Sequence, residues 1–531
     1  MVITRKQWLL IGALLVVAAM FRIAVAHWLP NDGPDDGRVY AQMARNLLEQ
    51  HIFSHDAEPP YQPSLIRLPG YPLFLAGVYS IFGHTSNGAV RIVQALIDTA
   101  TCGLIALLAF YWQPDQKKKA ATGIGALALA AVCPFTTIYA ATILTEVLTN
   151  FLMVAMFVAV TLAYRNSTTE GTEEKQNQKV WKPFLWWIVA GLLGGLNVLF
   201  RPDSGLFVAA VGLTLAITGL VRFKKEFGGS IVKGAIFSLA FLIVLTPWTI
   251  RNWRVFHQFQ PLAPAHGEMP GEFVPRGYYL WLRTWLDDES YIAPFLWSLD
   301  TDPIDIDDVP PYAFDSPDEK KRVTTLLEAY NNEQGTDTNA DADSKPDNNA
   351  NPDEDKDESD SNDEQTQPES GQKPQVEMAP QIDAAFGQLA RERIARHPFR
   401  FYVQLPLKRA HTMWFDTHSQ YWPFVGTLLP FSDLDHTTHQ QIWLPLFAGL
   451  TAVYTLLGLA GMWFLWNSGN FDARRWLLLV ALAIVLRLIL FSAIENPEPR
   501  YVVEFFPLLS VLGGIAIGKI KKPRMYTDKH G

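Results

Sequence analysis

The chain has 531 residues, of which 49% are hydrophobic, and its 44 basic and 53 acidic residues give a formal net charge of −9. Its apolar residues come in runs of about 16 to 25 residues with at most two charged side chains each, long enough to cross the ~30 Å hydrocarbon core of a bilayer, so they predict an integral membrane protein. The sequence contains no glycine-rich phosphate loop, which excludes a membrane ATPase. Its 2 cysteines, Cys102 and Cys133, exclude a disulfide framework and have no metal-ligand spacing.

Ten apolar runs predict an all-α polytopic protein with about ten transmembrane helices. The runs are 8–29, 89–112, 121–141, 143–164, 184–200, 204–221, 231–246, 442–466, 476–492 and 502–518. The first run, with Arg5, Lys6 and Ala24-Val25-Ala26, also resembles a cleavable signal peptide, but its length and the position of Arg22 favour a membrane span. In both interpretations the chain lies outside from Asn31 onward.

Lysine and arginine collect in every second loop, which predicts the orientation of the spans. The clusters are Arg5 with Lys6, 117–119, Arg165 with Lys175, Lys179 and Lys182, Arg222 with Lys224 and Lys225, Arg474 with Arg475, and 519–524. We therefore expect a cytoplasmic (inner) membrane protein with both termini in the cytoplasm. The outer segments are then 31–88, 133–146, 201–203, 247–441 and 495–501.

The loops divide the chain into four predicted parts. They are an N-terminal membrane module (1–260), an outer domain (261–441), C-terminal membrane helices (442–520) and a cytoplasmic tail (521–531). Segment 331–380 holds 15 acidic residues and 3 lysines with few large apolar side chains, so it is predicted to be a disordered insert in the outer domain. Without this insert the formal charge changes from −9 to +3. The acidic net charge therefore belongs to the insert and not to the folded body. Separately, we expect no nucleic-acid partner.

The first outer loop carries two clusters that point to a site. Asp35 and Asp36 precede a stretch, 38–50, whose apolar residues recur at helical spacing, which predicts an amphipathic helix on the bilayer surface. Asp36 suits either an N-cap of this helix or a catalytic group. Arg67 and the turn that follows it lead into a second short apolar helix, 73–82, in which proline and glycine have an architectural role.

Arginines lie at the outer ends of several spans, where the positive-inside rule leaves few cations. They are Arg22, Arg91, Arg201, Arg251, Arg487 and Arg500. Structural pairing with Asp98, Glu146, Asp203 or Glu495 is one explanation, and a bound phosphate that contacts several arginines is another. The loop 495–501 likewise suits either a capped outer turn or a ligand contact. The histidines of the outer domain form no convincing ligand pattern, so we place no metal, and no cofactor is required by the sequence.

The outer motifs, in their order along the chain, resemble those of the polytopic GT-C glycosyltransferases. The resemblance is to the branch that contains the dolichyl-phosphate-mannose protein mannosyltransferases and the lipid A aminoarabinose transferase. The motifs are Asp36-Gly37-Arg38-Val39-Tyr40, Ala44-Arg45-Asn46-Leu47, Arg67-Leu68-Pro69-Gly70-Tyr71-Pro72, Thr145-Glu146, Arg201-Pro202-Asp203, Thr246-Pro247-Trp248-Thr249-Ile250-Arg251-Asn252 and Arg500-Tyr501. The likeness extends over most of the chain except the acidic insert.

The resemblance implies transfer of a sugar from a polyprenyl phosphate to a hydroxyl of a lipid, glycan or protein, on the outer face and with inversion. It makes Asp36 the general base, by its spacing to Tyr40, with Asp35 as the alternative. Arg67, Arg201, Arg251 and Arg500 bind the donor phosphate on this analogy. The supporting residues are Tyr40, Glu146, Asp203, Glu495 and Tyr501. A transporter or flippase for an anionic lipid or solute is the competing function, since buried charge in many spans also fits transport.

Overall fold

The computed structural model describes residues 4–33, 35–83, 85–167, 181–264, 267–299, 302–340, 378–415, 421–424 and 438–520. Regular structure in these ranges is helical, apart from an isolated bridge between Asn31 and Thr142. This confirms the all-α prediction. The chain divides into two compact units, the first comprising 1–272, 413–491 and 498–531 and the second 273–412 and 492–497.

The first unit holds the apolar helices. They are α1 (Arg5–Trp28), α2 (Asp35–Glu49), α3 (Gly70–Phe82), α4 (Asn87–Trp112), α5 (Lys119–Ala131), α6 (Pro134–Ala141), α7 (Glu146–Ser167), α8 (Trp181–Phe200), α9 (Gly205–Val221) and α10 (Phe223–Phe256). Nearer the C-terminus come α15 (Thr438–Asn467), α16 (Phe471–Ser492) and α17 (Phe505–Ile520).

Each of the ten predicted spans coincides with helix in the part of the chain that is described. Seven helices are long and apolar enough to cross a membrane, and an eighth span results if the bent pair α5 and α6 is counted as one. The remaining two predicted spans correspond to the shorter apolar helices Phe184–Phe200 and Phe505–Lys519. Length and composition therefore confirm a polytopic membrane protein.

The third predicted span is bent. It consists of two helices, α5 and α6, which meet at an angle of 52°. Pro134 begins α6 and cannot donate a backbone hydrogen bond to the preceding turn. The Arg22 guanidinium donates instead to the carbonyl oxygens of Ala130 (3.1 Å) and Ala131 (3.2 Å), and it pairs with Asp98 at 2.5 Å. Arg22 thus satisfies two carbonyls that a helix end leaves without intrahelical partners, and its pair with Asp98 is an instance of the structural pairing that the sequence left open.

Both short helices predicted in the first outer loop are present, and each starts three residues before its predicted start. Helix α2 begins at Asp35, so Asp36 lies in its first turn and the N-cap interpretation of Asp36 is wrong. Ahead of α2, the backbone amide of Asn31 donates to the Ala141 carbonyl (3.0 Å), and Ile143 donates back to Asn31 (3.2 Å). These bonds fix the start of α2 against the segment that joins α6 to α7.

The second unit comprises helices around an aromatic core. They are α11 (Arg276–Leu282), α12 (Pro317–Ala340), α13 (Pro380–Arg396) and α14 (Leu405–Phe415), the last of which continues into the first unit. Trp281, Trp285 and Phe386 are fully buried in its core. Helix α12 continues ten residues into the segment predicted to be a disordered insert, and 341–377 lie outside the described residues. The predicted cytoplasmic tail, 521–531, also lies outside them.

Candidate active site

Asp36 is held between two arginines that are remote from it in sequence. One carboxylate oxygen, Oδ1, accepts from Arg67 Nη2 at 2.6 Å, and the other, Oδ2, lies 3.3 Å from Arg500 Nη1. About a quarter of the Asp36 side chain stays accessible, at 27%. The next residue is Gly37, where a Cβ atom would collide with the carbonyl oxygens of Asp32 and Ile143. A glycine is therefore required to bring Asp36 this close to the neighbouring backbone.

Arg67 reaches Asp36 from the turn that precedes α3. This turn packs closely against the C-terminal end of α8, since a Cβ atom on Gly70 would lie 2.6 Å from the carbonyl oxygen of Leu199. The predicted architectural role of Gly70 is confirmed by that contact. Burial favours the neutral form of Arg67, but the Asp36 carboxylate outweighs burial and raises the pKa of Arg67.

Arg500 lies in the short 3₁₀ turn Pro499–Val502, where Glu498 fixes its guanidinium. Glu498 is fully buried and lies 2.6 Å from Arg500 Nε. It also accepts from Arg500 Nη2 (3.1 Å) and from the Tyr501 hydroxyl (2.9 Å). Burial works against the charged guanidinium, but Glu498 raises the pKa of Arg500 well above its ordinary value. Glu498 belongs to the loop singled out from the sequence, yet its role beside Arg500 was not predicted.

The two arginines determine the protonation of Asp36. Burial alone disfavours the carboxylate, but Arg500 and then Arg67 outweigh it, so the pKa of Asp36 lies below its ordinary value. Burial, followed by the nearby Asp36 charge, raises the pKa of Tyr40 to about 12. At neutral pH the pair is therefore an ionised Asp36 beside an un-ionised Tyr40. The sequence prediction that Asp36 and Tyr40 belong to one site agrees with this geometry.

Apart from the contacts of Asp36, the site contains a second group of charged side chains, which we call the buried cluster. It consists of Glu146, Arg201, Asp203, Arg487 and Glu504. Arg201 lies 2.9 Å from Glu146, 3.2 Å from Asp203 and 3.2 Å from Glu504. Arg487 lies 2.5 Å from Asp203 and 3.0 Å from Glu504. Three carboxylates therefore surround two arginines, so for Arg201 the structure shows carboxylate pairing, the first of the two explanations drawn from the sequence.

Tyr501 connects the buried cluster to Arg500. Its backbone carbonyl accepts from Arg487 Nε at 2.6 Å, and its ring stacks on Phe491 at 4.2 Å between centroids. The Arg201 guanidinium lies 5.7 Å from the centre of the same ring. The buried cluster thus fixes the turn that carries Arg500. Sequence reasoning missed Glu504, although a lone carboxylate inside a predicted apolar run was a usable signal.

Two predicted site residues, Arg251 and Glu495, have partners other than those predicted. Arg251 donates to the carbonyl of Ser64 (2.8 Å) and to the Asn252 side chain (2.9 Å), and within the described ranges it has no carboxylate at salt-bridge distance. Glu495 belongs to the second unit, where it lies 3.9 Å from Arg283. The side chain of Asp35 lies outside the described residues, so the choice between Asp35 and Asp36 as the base stays a prediction.

The arrangement around Asp36 is suited to an anion and to proton uptake. Arg67 and Arg500 present planar guanidinium groups that can bind phosphate oxygens through paired N–H donors. The partly accessible Asp36 can accept a proton from a nearby hydroxyl once its arginines are otherwise engaged. In the part of the chain that the structure describes, no group of three or more His, Cys, Asp or Glu side chains is suited to a metal ion.

No family model and no curated protein matches the sequence. Among solved structures, the chain is similar to the Archaeoglobus fulgidus oligosaccharyltransferase tethered with an acceptor peptide, at 12% identity and a TM-score of 0.48 over 96% of this chain and 49% of that one. The oligosaccharyltransferase AglB from the same organism, in complex with an inhibitory peptide and a dolichol-phosphate, gives 13% identity and a TM-score of 0.48 over 96% and 50%.

The chain is also similar to ArnT from Cupriavidus metallidurans bound to undecaprenyl phosphate, at 14% identity and a TM-score of 0.39 over 97% of this chain and 79% of that one. It spans about half the length of the archaeal oligosaccharyltransferase. At such low identities the residues of the candidate site, rather than the likeness, have to support a function.

Proposed function

We propose that the protein is a membrane glycosyltransferase of the GT-C type. It moves a sugar from a polyprenyl-phosphate donor to a hydroxyl of a lipid, glycan or protein, with inversion at the anomeric carbon. The observation that supports this most is the position of Asp36 between Arg67 and Arg500, with one carboxylate oxygen facing each. A proton acceptor and two phosphate-binding groups thus meet at a partly accessible point.

In the proposed reaction Asp36 takes the proton of the acceptor hydroxyl. The acceptor oxygen bonds to the anomeric carbon, the bond from that carbon to the phosphate oxygen breaks, and its electron pair goes to the phosphate. Arg67 and Arg500 stabilise the charge that develops on the leaving polyprenyl phosphate. General base catalysis of this kind contributes ~10²- to 10⁴-fold in rate.

The charges around Asp36 imply that binding of the donor makes the Asp36 carboxylate more basic. Two arginines hold the pKa of Asp36 low, and a carboxylate with such a low pKa is a weak base. A donor phosphate that binds Arg67 and Arg500 competes with Asp36 for the same N–H groups. Once the arginines turn toward the phosphate, Asp36 loses much of their stabilisation and becomes more basic. We therefore expect Asp36 to act as a base mainly when the donor is bound.

Arg201 and Arg251, which the sequence resemblance also assigned to the donor phosphate, have other partners. Arg201 already forms ion pairs with three carboxylates and is only 8% exposed. We therefore propose that it positions Arg500 through the Tyr501 turn. Arg251 binds the backbone of the first outer loop at Ser64, and we propose that it positions Arg67 in that loop. Phosphate contact is then concentrated on Arg67 and Arg500.

The proposed compartment is the outer face of a cytoplasmic membrane, where a lipid-linked donor is available without a cytosolic nucleotide.

The transfer reaction tests the proposal in membranes that contain the protein and a labelled polyprenyl-phosphate sugar. Asp36→Asn keeps the size of the side chain and removes its basicity, so we expect it to abolish transfer. Glu58→Gln, an exposed residue of the same loop, is the matched control and should retain full activity. Full activity of Asp36→Asn would remove Asp36 from the mechanism.

A further inference from the structure

A second polar site lies at the other end of helix α7 from the buried cluster. Helix α7 begins at Glu146, in the buried cluster, and Tyr164 lies near its far end. Eighteen residues of α-helix separate the two, which corresponds to about 27 Å. That distance is close to the ~30 Å thickness of the hydrocarbon core, so Tyr164 lies near the opposite membrane surface. On the predicted orientation this surface is cytoplasmic.

Around Tyr164 the first unit contains a cavity of ≈ 660 Å³. Small-molecule sites typically occupy ~300–1,000 Å³, so the cavity has room for a ligand of headgroup size. Its charged lining consists of three cations, Arg222, Lys233 and Arg475, and two carboxylates, Glu226 and Asp472. The lining therefore has a formal excess of one positive charge.

Arg475 is a buried residue of the cavity lining. Its side chain is 3% exposed and stacks on Tyr164, with 3.9 Å between the guanidinium carbon and the ring centre. Its Nη groups donate to Asp472 (2.9 Å) and Glu226 (3.2 Å), whereas its buried Nε has no hydrogen-bond partner among the described residues. A buried N–H group without a partner is costly. A ligand oxygen would remove that cost.

The other two cations of the lining are less buried than Arg475. Arg222 is 40% exposed, pairs with Glu226 at 2.8 Å and stacks on Phe471 with 3.5 Å to the ring centre. Lys233 lies over the ring of Tyr164, with Nζ 5.4 Å from its centre. The neighbouring apolar side chains Val221, Phe223 and Ile231 are exposed on the surface, with between 58% and 71% of each accessible. Lipid chains can cover such side chains where a phosphate group enters the cavity.

We propose that this cavity binds a phosphate-bearing anion at the membrane surface opposite the candidate active site, either the headgroup of an anionic phospholipid or free phosphate. The phosphate is neutralised by Lys233 and Arg222, and it accepts from Arg475 Nε once the side chains that cover Nε shift to admit it. The proposal is independent of glycosyl transfer, because none of these side chains belongs to the site around Asp36.

Purified protein tests this through thermal unfolding with increasing short-chain phosphatidylglycerol, phosphatidylcholine or inorganic phosphate. We expect phosphatidylglycerol to raise the melting temperature in a saturable way and phosphatidylcholine to have little effect. Lys233→Gln removes a charged contact, so it should weaken the apparent affinity by roughly tenfold or more. Lys117→Gln removes an exposed cation outside the cavity and should bind like the unaltered protein.

Arg222→Gln provides a second variant at a partly exposed position, so the test does not depend on the stability of one substitution. Protection by inorganic phosphate that is equally sensitive to Lys233→Gln would support the anion site and identify free phosphate as its ligand. Equal protection by phosphatidylcholine and phosphatidylglycerol would overturn the proposal. So would binding that is unchanged by both Lys233→Gln and Arg222→Gln.

Discussion

Removing a carboxylate from the buried cluster should cost much less stability than removing an arginine. The cluster holds three carboxylates and two arginines, so its formal charge is −1. Glu504→Gln brings that charge to zero and leaves each arginine with at least one carboxylate. Arg487→Gln instead leaves three carboxylates with one arginine and a formal charge of −2 at a fully buried position.

The expected magnitudes follow from this difference. Breaking a buried ion pair by removing one partner costs about 3–5 kcal/mol, and Arg487→Gln should lie in that range. Glu504 contacts Arg201 at 3.2 Å and Arg487 at 3.0 Å, and glutamine can still accept a hydrogen bond there. Glu504→Gln should therefore cost about 1–2 kcal/mol, the size of one weakened charge-assisted hydrogen bond.

Thermal and denaturant unfolding of both variants in detergent measures the difference. Arg487→Gln should also lower glycosyl transfer, because the Tyr501 carbonyl loses its 2.6 Å contact with Arg487 Nε and the turn that holds Arg500 loosens. Glu504→Gln should keep most of the activity. If Glu504→Gln destabilises the protein as much as Arg487→Gln does, then the assignment of an excess carboxylate to the cluster is wrong.

Three further predictions concern the site around Asp36. Arg67→Gln and Arg500→Gln should each raise the donor concentration needed for half-maximal transfer by about tenfold or more, and donor titration that shows no change in either variant would contradict phosphate contact. Gly37→Ala should destabilise the fold by ~1–3 kcal/mol in thermal unfolding because its methyl group meets backbone carbonyls, whereas Gly77→Ala, which has open space, should not. The pKa of Asp36 is lowered in the folded state, so its stabilising effect should be present above the ordinary value of 3.8 and lost as the pH falls through the lower folded value. Unfolding of the unaltered protein and Asp36→Asn across acidic pH measures this, and a stability difference that persists at the lowest pH would contradict the pairing.

The sequence predicted the spans well because a membrane imposes a length and a composition that are visible in one dimension. It also identified arginines that need anionic partners, and Arg22 and Arg201 have such partners in Asp98 and Glu146. The angle within the third span was not predicted, although Pro134 was visible in the sequence, because the Arg22 side chain that satisfies the carbonyls at the break lies more than 100 residues away in the chain.

The candidate site was only partly predictable for the same reason. Helical spacing suggested Asp36 as an N-cap, but its side chain contacts Arg67 and Arg500 instead, and Arg500 is 464 positions away. Glu504 was overlooked because one carboxylate barely changes the hydropathy of an apolar run. Glu495 was grouped with Arg500 because the two are close in sequence. Within their loop, however, the chain passes from the second unit, which contains Glu495, to the first unit, which contains Arg500.

The most direct test of the central claim is transfer of labelled sugar from a polyprenyl-phosphate donor in membranes that contain the protein, Asp36→Asn or Glu58→Gln. Lipid, glycan and protein fractions are counted separately, and folding of each variant is checked by thermal unfolding. We expect label to move in the unaltered protein and in Glu58→Gln, and not in Asp36→Asn. Undiminished transfer by a folded Asp36→Asn variant, or no transfer by the folded unaltered protein from any such donor, would contradict the account.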